Sequence, residues 1–364
     1  MLKEKLQKAK IFINSDKFVQ FLFLTIVVVL ASYTRFYNLG YSDYIGDEHK
    51  AFIELEEGQN LGNFFMNQRK GPMQWFVSHI PYLITGDFRN ELAQRIPFSI
   101  ISVGAMVVFY FVVKKLTKNI YTAFLSTLLL TVNGFIVGFG RIAQYQNLNL
   151  LFSFLAIYFY ADLLGEKQKR EQLKSTFYGT LFWCLSILSH WDAIFILPVV
   201  VVIFIKFLKN EKYDLNEKKT LILKNLLLGC LILLPFLLPY LYFQVTNQDN
   251  MTYFGRRIEI GHLLYERYKL LIILYNPFVT LPLFITFGLV GAMFYKKSWI
   301  FSFWFVFAYI CFELFVRKPG THIYNFIIPA TVLTGIGLVS IAQKLPNFFR
   351  KVWILMIFLT FSFL

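Results

Sequence analysis

The sequence predicts an all-helical integral membrane protein. Of its 364 residues, 57% are hydrophobic and only 16% are charged, and the mean hydropathy is +0.55. Apolar stretches of about 20 residues, the length that crosses a bilayer core as a helix, recur along the chain. This composition excludes a soluble globular protein.

Eleven apolar stretches are predicted to cross the membrane. The first, 18–37, follows a lysine-rich start without a small-residue cleavage site, so we expect a retained signal anchor. The chain ends within an apolar run, so we expect that a C-terminal region of a longer parent could follow. The other predicted spans are 96–115, 120–139, 147–164, 175–190, 192–209, 221–243, 268–294, 298–316, 324–343 and 350–364.

A shorter apolar stretch, 72–86, contains Ser78, His79 and Pro81 and could cross only poorly. If it does not cross, 23 of the 36 Lys and Arg residues share one side with the N-terminus, which is then cytoplasmic. Crossing would invert this bias. We therefore predict that the stretch is interfacial or re-entrant and that 38–95 forms one large extracytoplasmic loop.

The net charge of +15 is best explained by this topology, and no nucleic acid partner is predicted. Cys184, Cys230 and Cys311 fall in apolar runs without paired spacing, so neither a disulfide framework nor a thiolate metal site is indicated. The large loop interleaves acidic and apolar residues, which predicts short amphipathic helices lying on the membrane.

Several short motifs follow one another in a characteristic order. Asp47-Glu48 comes after the first span, and Lys70-Gly71-Pro72-Met73 opens the short aromatic stretch. The later motifs are Gly86-Asp87-Phe88, Arg95-Ile96-Pro97-Phe98-Ser99, Gly140-Arg141-Ile142-Ala143-Gln144, and His322-Ile323-Tyr324-Asn325-Phe326 continuing to Pro329-Ala330. In this order the chain resembles the lipid-linked-sugar glycosyltransferases of the C-type fold, which include protein O-mannosyltransferases and aminoarabinose transferases.

The resemblance covers nearly the whole chain and implies a single transmembrane glycosyltransferase domain, 1–364. It implies a polyprenyl-phosphate-linked sugar as donor, an active site at the extracytoplasmic membrane face and the first-loop aspartate as general base. Two motifs depart from the family. Where the family often has His-Pro-Pro, this chain has Lys70-Gly71-Pro72. Where the family often has an acidic residue after the Arg141 motif, this chain has Gln144-Tyr145-Gln146-Asn147.

The chemistry of such a transfer needs a base for the acceptor proton and cations for the departing phosphate, because the anomeric C–O bond breaks through an oxocarbenium-like state. We predict that Asp47 is the base and that Glu48, whose side chain must diverge from its neighbour, orients a nearby group. His49 is either a substrate contact or a solvated polar residue.

Candidate phosphate ligands lie in the predicted outer loops. Arg141 follows the third span and could hold phosphate with its planar fork or extend to lipid headgroups. The other candidate phosphate ligands are Arg256, Arg257, Arg317, Lys318 and His322. Instead of phosphate, these residues could bind anionic lipid or lie at the rim of the cavity. Further predicted cavity residues are Arg95, Gln144, Tyr145, Trp191, Asp192 and Tyr324, although His190-Trp191-Asp192 also fits a tight turn.

No cofactor and no obligatory metal are predicted. Asp47, Glu48 and His49 offer metal-binding atoms, but the side chains of three consecutive residues seldom bind one ion. A monophosphate leaving group can be held by cationic side chains instead of a metal. The expected partners are the lipid-linked sugar, an acceptor protein, lipid or polysaccharide, and membrane lipids. Two alternatives stay open: a secondary transporter, and a non-catalytic or polymerase-type protein that handles lipid-linked glycans.

Overall fold

The computed structural model describes residues 16–68, 70–165, 169–246, 277–295, 298–315 and 320–346. Within these ranges the chain is helical and has no β-strand, so the predicted all-α class is confirmed. The predicted span 350–364 and the beginning of the span 268–294 lie outside the described residues.

Thirteen described α-helices follow one another along the chain. They are α1 (Asp16–Phe36), α2 (Leu61–Asn67), α3 (Met73–Thr85), α4 (Glu91–Thr117), α5 (Ile120–Val132), α6 (Gly134–Phe139), α7 (Gln146–Tyr160), α8 (Lys169–Ser189), α9 (Leu197–Leu208), α10 (Leu215–Thr246), α11 (Pro277–Phe294), α12 (Trp299–Phe315) and α13 (Tyr324–Lys344). Four 3₁₀ turns, Glu48–Ala51, Ala161–Leu164, Trp191–Ile196 and Gly320–Ile323, separate some of them.

Six described helical segments are long and apolar enough to cross a membrane: Asp16–Phe36, Glu91–Thr117, Gln146–Leu164, Trp191–Leu208, Leu215–Thr246 and Tyr324–Lys344. Shorter apolar helices lie at Ile120–Val132, Leu283–Met293 and Trp299–Phe312. A multi-pass membrane protein is therefore confirmed, while the count of eleven spans stays a prediction.

The predicted span 120–139 is two helices rather than one. Asn133 has an extended backbone, and its side chain accepts a hydrogen bond from the Phe135 N–H at 3.1 Å, which ends α5 and begins α6. An asparagine side chain competes well for such backbone donors, which is why it breaks an otherwise apolar helix.

The buried core joins α4, α7, α12 and α13 through large aromatic side chains, among them Phe109, Phe154 and Trp304. Between α11 and α13 the backbones touch, because a Cβ on Gly291 would lie 1.9 Å from the Leu333 carbonyl oxygen. Close backbone approach through glycine is a common way for helices to associate in lipid, where burial of apolar surface gives little driving force.

Helix α3 corresponds to the short apolar stretch in the first loop. With 13 residues it is about 20 Å long, which is too short for a bilayer core of about 30 Å. One face exposes Phe76, Ile80 and Ile84, while Trp75 and Ser78 are buried. The stretch is a short helix with one exposed apolar face, and its interfacial or re-entrant position stays a prediction.

Candidate active site

The first loop is held in place by a buried ion pair between Glu48 and Arg95. Glu48 is fully buried, and its two carboxylate oxygens accept hydrogen bonds from Arg95 Nε at 2.9 Å and Nη2 at 2.7 Å. The same carboxylate accepts the backbone N–H groups of Ile45 and Ala143, both at 2.8 Å. The pair therefore ties the loop to α4 and to the α6–α7 connection.

Arg95 completes this arrangement by donating to three loop carbonyls, those of Leu39, Ser42 and Asp43, at 3.2, 2.9 and 2.8 Å. Glu48 accepts four hydrogen bonds within the described residues and is turned away from solvent. Its geometry is that of a side chain that positions the loop, and these contacts provide no support for a direct catalytic role. The predicted role of Glu48 in orienting a nearby group stays a prediction.

Asp47, next to this buried pair, points the other way and has a half-exposed side chain. Its Oδ1 lies 2.7 Å from Lys50 Nζ, and its Oδ2 lies 3.4 Å from Lys70 Nζ. Partial burial alone would raise the pKa of this carboxyl, but the hydrogen bond from Lys50 and the charge of Lys70 outweigh it and lower the pKa. Asp47 is thus an ionised carboxylate held between two ammonium groups.

Lys70 is the residue that sequence reasoning missed. It is nearly buried, and burial lowers the pKa of its ammonium group despite the opposing charge of Asp47. Gly71 sets its position, because the Gly71 N–H donates to the Ser189 carbonyl at 3.2 Å and a Cβ there would lie 1.8 Å from the Leu188 carbonyl oxygen. The Lys-Gly-Pro departure from the family motif was the available signal.

A second polar cluster, which we call the His190 cluster, consists of His190, Asp192, His322 and Tyr324. Asp192 is buried; its Oδ1 lies 3.1 Å from His190 Nδ1 and its Oδ2 lies 2.9 Å from His322 Nδ1. The Tyr324 hydroxyl donates to Oδ2 at 2.7 Å. Ligating atoms of His190, Asp192 and His322 all lie within 4.8 Å of one another, a spacing that a metal ion could use.

Two elements bring the His190 cluster together. His190 ends α8 and caps the Trp191–Ile196 turn, because its Nδ1 accepts the Asp192 backbone N–H at 3.2 Å. His322 lies in the 3₁₀ turn before α13, whose first residue is Tyr324. Burial lowers the pKa of His190, against the opposing effect of Asp192, and so favours the neutral imidazole.

Tyr145 connects the two clusters. Its ring stacks on His190 with centroids 3.9 Å apart, and Lys70 Nζ lies 5.0 Å from the centroid of the same ring. Asp47, Lys70, Tyr145 and the His190 cluster therefore form one continuous chain of contacts. The predicted cavity residues Tyr145, Asp192 and Tyr324 are thus brought together with Asp47 and His322.

Other predicted site residues lie elsewhere. Arg141 caps the end of α1, donating to the Thr34 and Tyr37 carbonyls at 3.0 and 2.8 Å and to the Asn38 carbonyl at 3.1 Å. It lines a separate open cleft of about 440 Å³ together with Tyr33, Tyr37 and Tyr41. These contacts are those of a helix cap and give no support for phosphate binding.

His49 is exposed, Gln144 is buried beside Tyr145, and Trp191 is partly exposed with its ring 6.3 Å from that of Tyr240. Among the described side chains, none of these three makes a hydrogen bond or a ring contact with the His190 cluster. Arg256, Arg257, Arg317 and Lys318 lie outside the described residues, so their predicted roles stay predictions.

The fold is similar to that of solved lipid-linked glycosyltransferases. ArnT from Cupriavidus metallidurans bound to undecaprenyl phosphate is 16% identical, with a TM-score of 0.59 over 91% of this chain and 61% of that chain. The oligosaccharyltransferase AglB from Archaeoglobus fulgidus, in complex with an inhibitory peptide and a dolichol-phosphate, is 12% identical, with a TM-score of 0.59 over 95% and 55%. The chain has the C-type glycosyltransferase fold, and the resemblance predicted from its motifs is confirmed.

At the level of sequence, residues 69–243 match the family described as dolichyl-phosphate-mannose-protein mannosyltransferase. An uncharacterized protein of Aquifex aeolicus (strain VF5) is 27% identical over 211 residues, which cover 54% of this chain and 39% of that protein. The chain therefore spans less than two thirds of the length of the Aquifex protein, ArnT and AglB.

Proposed function

We propose that the protein transfers a sugar from a polyprenyl-phosphate donor to an acceptor at the extracytoplasmic membrane face, with Asp47 as general base. The observation that supports this most is the half-exposed Asp47 carboxylate 3.4 Å from the nearly buried Lys70 ammonium. One group can take a proton and its neighbour can hold a phosphate, which are the two requirements of the reaction.

Lys70 is the phosphate ligand in this proposal. Its ammonium is a point charge with little solvent around it, so its attraction for a phosphate oxygen is screened less than that of a surface lysine. When a phosphate binds there, it competes with Asp47 for Lys70. The carboxylate then loses part of the positive charge that lowers its pKa and becomes a stronger base next to the acceptor.

The reaction balances without a further co-reactant. The bond between the anomeric carbon and the phosphate oxygen breaks, and a bond from the acceptor oxygen to that carbon forms. The acceptor proton passes to Asp47, and the polyprenyl phosphate leaves with its charge against Lys70. The structures of ArnT bound to undecaprenyl phosphate and of AglB in complex with a dolichol-phosphate support this donor class.

The test uses the full chain in lipid nanodiscs with a polyprenyl-phosphate mannose carrying a labelled sugar, the donor suggested by the family description. Envelope extract supplies acceptors, and labelled products are counted. Replacing a general base costs about 10²–10⁴-fold in rate, so we expect Asp47→Asn to lose transfer to this extent with little change in thermal stability.

Glu54→Gln is the matched control, because Glu54 is an exposed carboxylate of the same loop. It should leave the transfer rate unchanged. A near wild-type rate in Asp47→Asn would refute the base assignment. Loss of labelled donor without any labelled product in wild-type protein would instead point to handling of lipid-linked glycans without transfer.

A further inference from the structure

We propose that His190, Asp192 and His322 bind one divalent transition-metal ion of the zinc class. The two imidazoles and the carboxylate come from connections 130 residues apart in sequence, and their ligating atoms lie within 4.8 Å of one another. Two imidazole nitrogens and one carboxylate oxygen make up a donor set that is common for zinc ions with an open coordination position. The prediction of no metal considered only Asp47, Glu48 and His49.

The ring positions support a shared ion. The centroids of Tyr145, His190 and His322 are separated by 3.9, 5.2 and 6.5 Å, which is a right-angled triangle with the right angle at His190. Because Tyr145 stacks face to face on His190, the His322 ring lies beside His190 in nearly the same plane, at an interplanar angle of 14°. An ion between the two nitrogens could therefore lie in both ring planes, as imidazole ligation requires.

The separation of the rings also fits. Two imidazoles bound to one tetrahedral zinc ion, with zinc–nitrogen distances of about 2.0–2.1 Å, have ring centroids about 5 Å apart. The observed separation of His190 and His322 is 5.2 Å. Asp192 lies between them and offers one oxygen to each nitrogen, at 3.1 and 2.9 Å.

His190 Nδ1 contacts Asp192 through two atoms. The Asp192 backbone N–H lies 3.2 Å from this nitrogen, and Asp192 Oδ1 lies 3.1 Å from it. Without a metal, a proton between Nδ1 and Oδ1 satisfies the second contact. A cation bound by both atoms would replace that proton, because metal ligation uses a neutral imidazole and an ionised carboxylate.

Outer contacts hold the ligands in place, as second-shell partners do at metal sites. Tyr324 donates to the Asp192 carboxylate at 2.7 Å, and Asn325 donates to the His322 backbone carbonyl at 2.9 Å. With three ligands from described side chains, a tetrahedral ion has a fourth position for water or a phosphate oxygen. Lys70 Nζ lies 5.0 Å from the centroid of the Tyr145 ring, which stacks on His190.

The test measures metal binding directly and needs no sugar donor, so it is independent of the proposed transfer. Full-length protein carrying a non-histidine affinity tag is purified in detergent, stripped with a chelator and titrated with Zn²⁺ against a chromophoric competitor. Elemental analysis should give one zinc per chain. Co²⁺ in place of zinc should give the strong visible absorption of a four-coordinate site.

Three variants and one control define the site. Asp192→Asn and His190→Ala should each weaken zinc binding by at least about 100-fold, and Tyr324→Phe should weaken it by about 10-fold, since even outer-shell changes cost 10–100-fold. His49→Ala, which removes an exposed histidine, should still bind one zinc. Zinc should also raise the thermal midpoint of wild-type protein and not that of Asp192→Asn.

Equal zinc binding by wild-type protein and Asp192→Asn would overturn the proposal. So would wild-type protein that keeps less than one zinc per chain and gives no Co²⁺ absorption. Because Tyr324→Phe removes only one hydroxyl, a change in its zinc affinity or Co²⁺ spectrum tests the site even if Asp192→Asn fails to fold.

Discussion

Adjacent carboxylates in the first loop have opposite environments. Glu48 is buried and bonded to Arg95 by two hydrogen bonds, whereas Asp47 is half exposed and lies between the lysines Lys50 and Lys70. The first pair ties the loop to α4, whereas in the proposed reaction the second pair exchanges a lysine for a phosphate. The structural ion pair, Glu48–Arg95, and the proposed reactive ion pair, Asp47–Lys70, are therefore separate, although their carboxylates are adjacent in sequence.

The largest effect on stability is expected where the buried pair is broken. Glu48→Ala leaves the Arg95 guanidinium uncompensated in a dry environment, and removal of one partner of a buried ion pair costs about 3–5 kcal/mol. Asp47→Asn should change the free energy of unfolding by about 0.5 kcal/mol or less, as surface substitutions usually do. Thermal unfolding in detergent measures both. Equal losses in the two variants would break the distinction between them.

A smaller effect, on donor binding, is expected at Lys70. Lys70→Met keeps the apolar stem and removes the charge, and a hydrogen bond to a charged group is worth about 1.5–3 kcal/mol. We therefore expect KM for the lipid-linked sugar to rise about 10- to 100-fold with a smaller change in kcat. Lys50→Met is the matched control, because Lys50 also pairs with Asp47 but is much more exposed. A similar KM increase in both variants would argue against phosphate binding by Lys70.

Sequence reasoning found the helical membrane class, the short interfacial-length helix and the Asp47-Glu48 divergence, since hydropathy, helix length and side-chain alternation are local properties. It did not find Lys70 or the convergence of His190 and His322. Lys70 depends on the contact of Gly71 with the end of α8, and His190 and His322 are brought together only by packing of connections far apart in sequence. Arg141 follows α6 in the chain, but the contacts of its side chain are set by the carbonyls that end α1.

The pH dependence of transfer sharpens the role of the lysines. The pKa of Asp47 is lowered by Lys50 and Lys70 against the effect of partial burial, so the carboxylate should stay ionised, and the enzyme active, to a lower pH than an ordinary Asp with a pKa near 3.9 would allow. Stability from these pairs follows the same sign. It is present above the unfolded-state pKa and is lost as the pH falls through the folded-state pKa.

In Lys70→Met the acid limb of the kcat/KM profile should move to higher pH, because one of the charges that lower the pKa of Asp47 is gone. An acid limb that does not move would show that the titrating group is not Asp47 or that Lys70 does not interact with it in solution. Glu54→Gln should leave the limb in place, since Glu54 lies on the exposed part of the loop.

The smallest effect is expected at Arg141, where sequence reasoning predicted phosphate binding and the structure gives a helix cap. A cation at a helix C-terminus contributes about 0.3–1 kcal/mol, so Arg141→Ala should lower the thermal midpoint slightly and leave KM for the donor unchanged. Arg141→Lys should recover part of the stability, because an ammonium group still meets the carbonyls that end α1. If Arg141→Ala instead raises the donor KM as much as Lys70→Met does, the cleft beside Tyr33 and Tyr41 belongs to the donor site, and the phosphate is bound by groups on both sides of the α6–α7 connection.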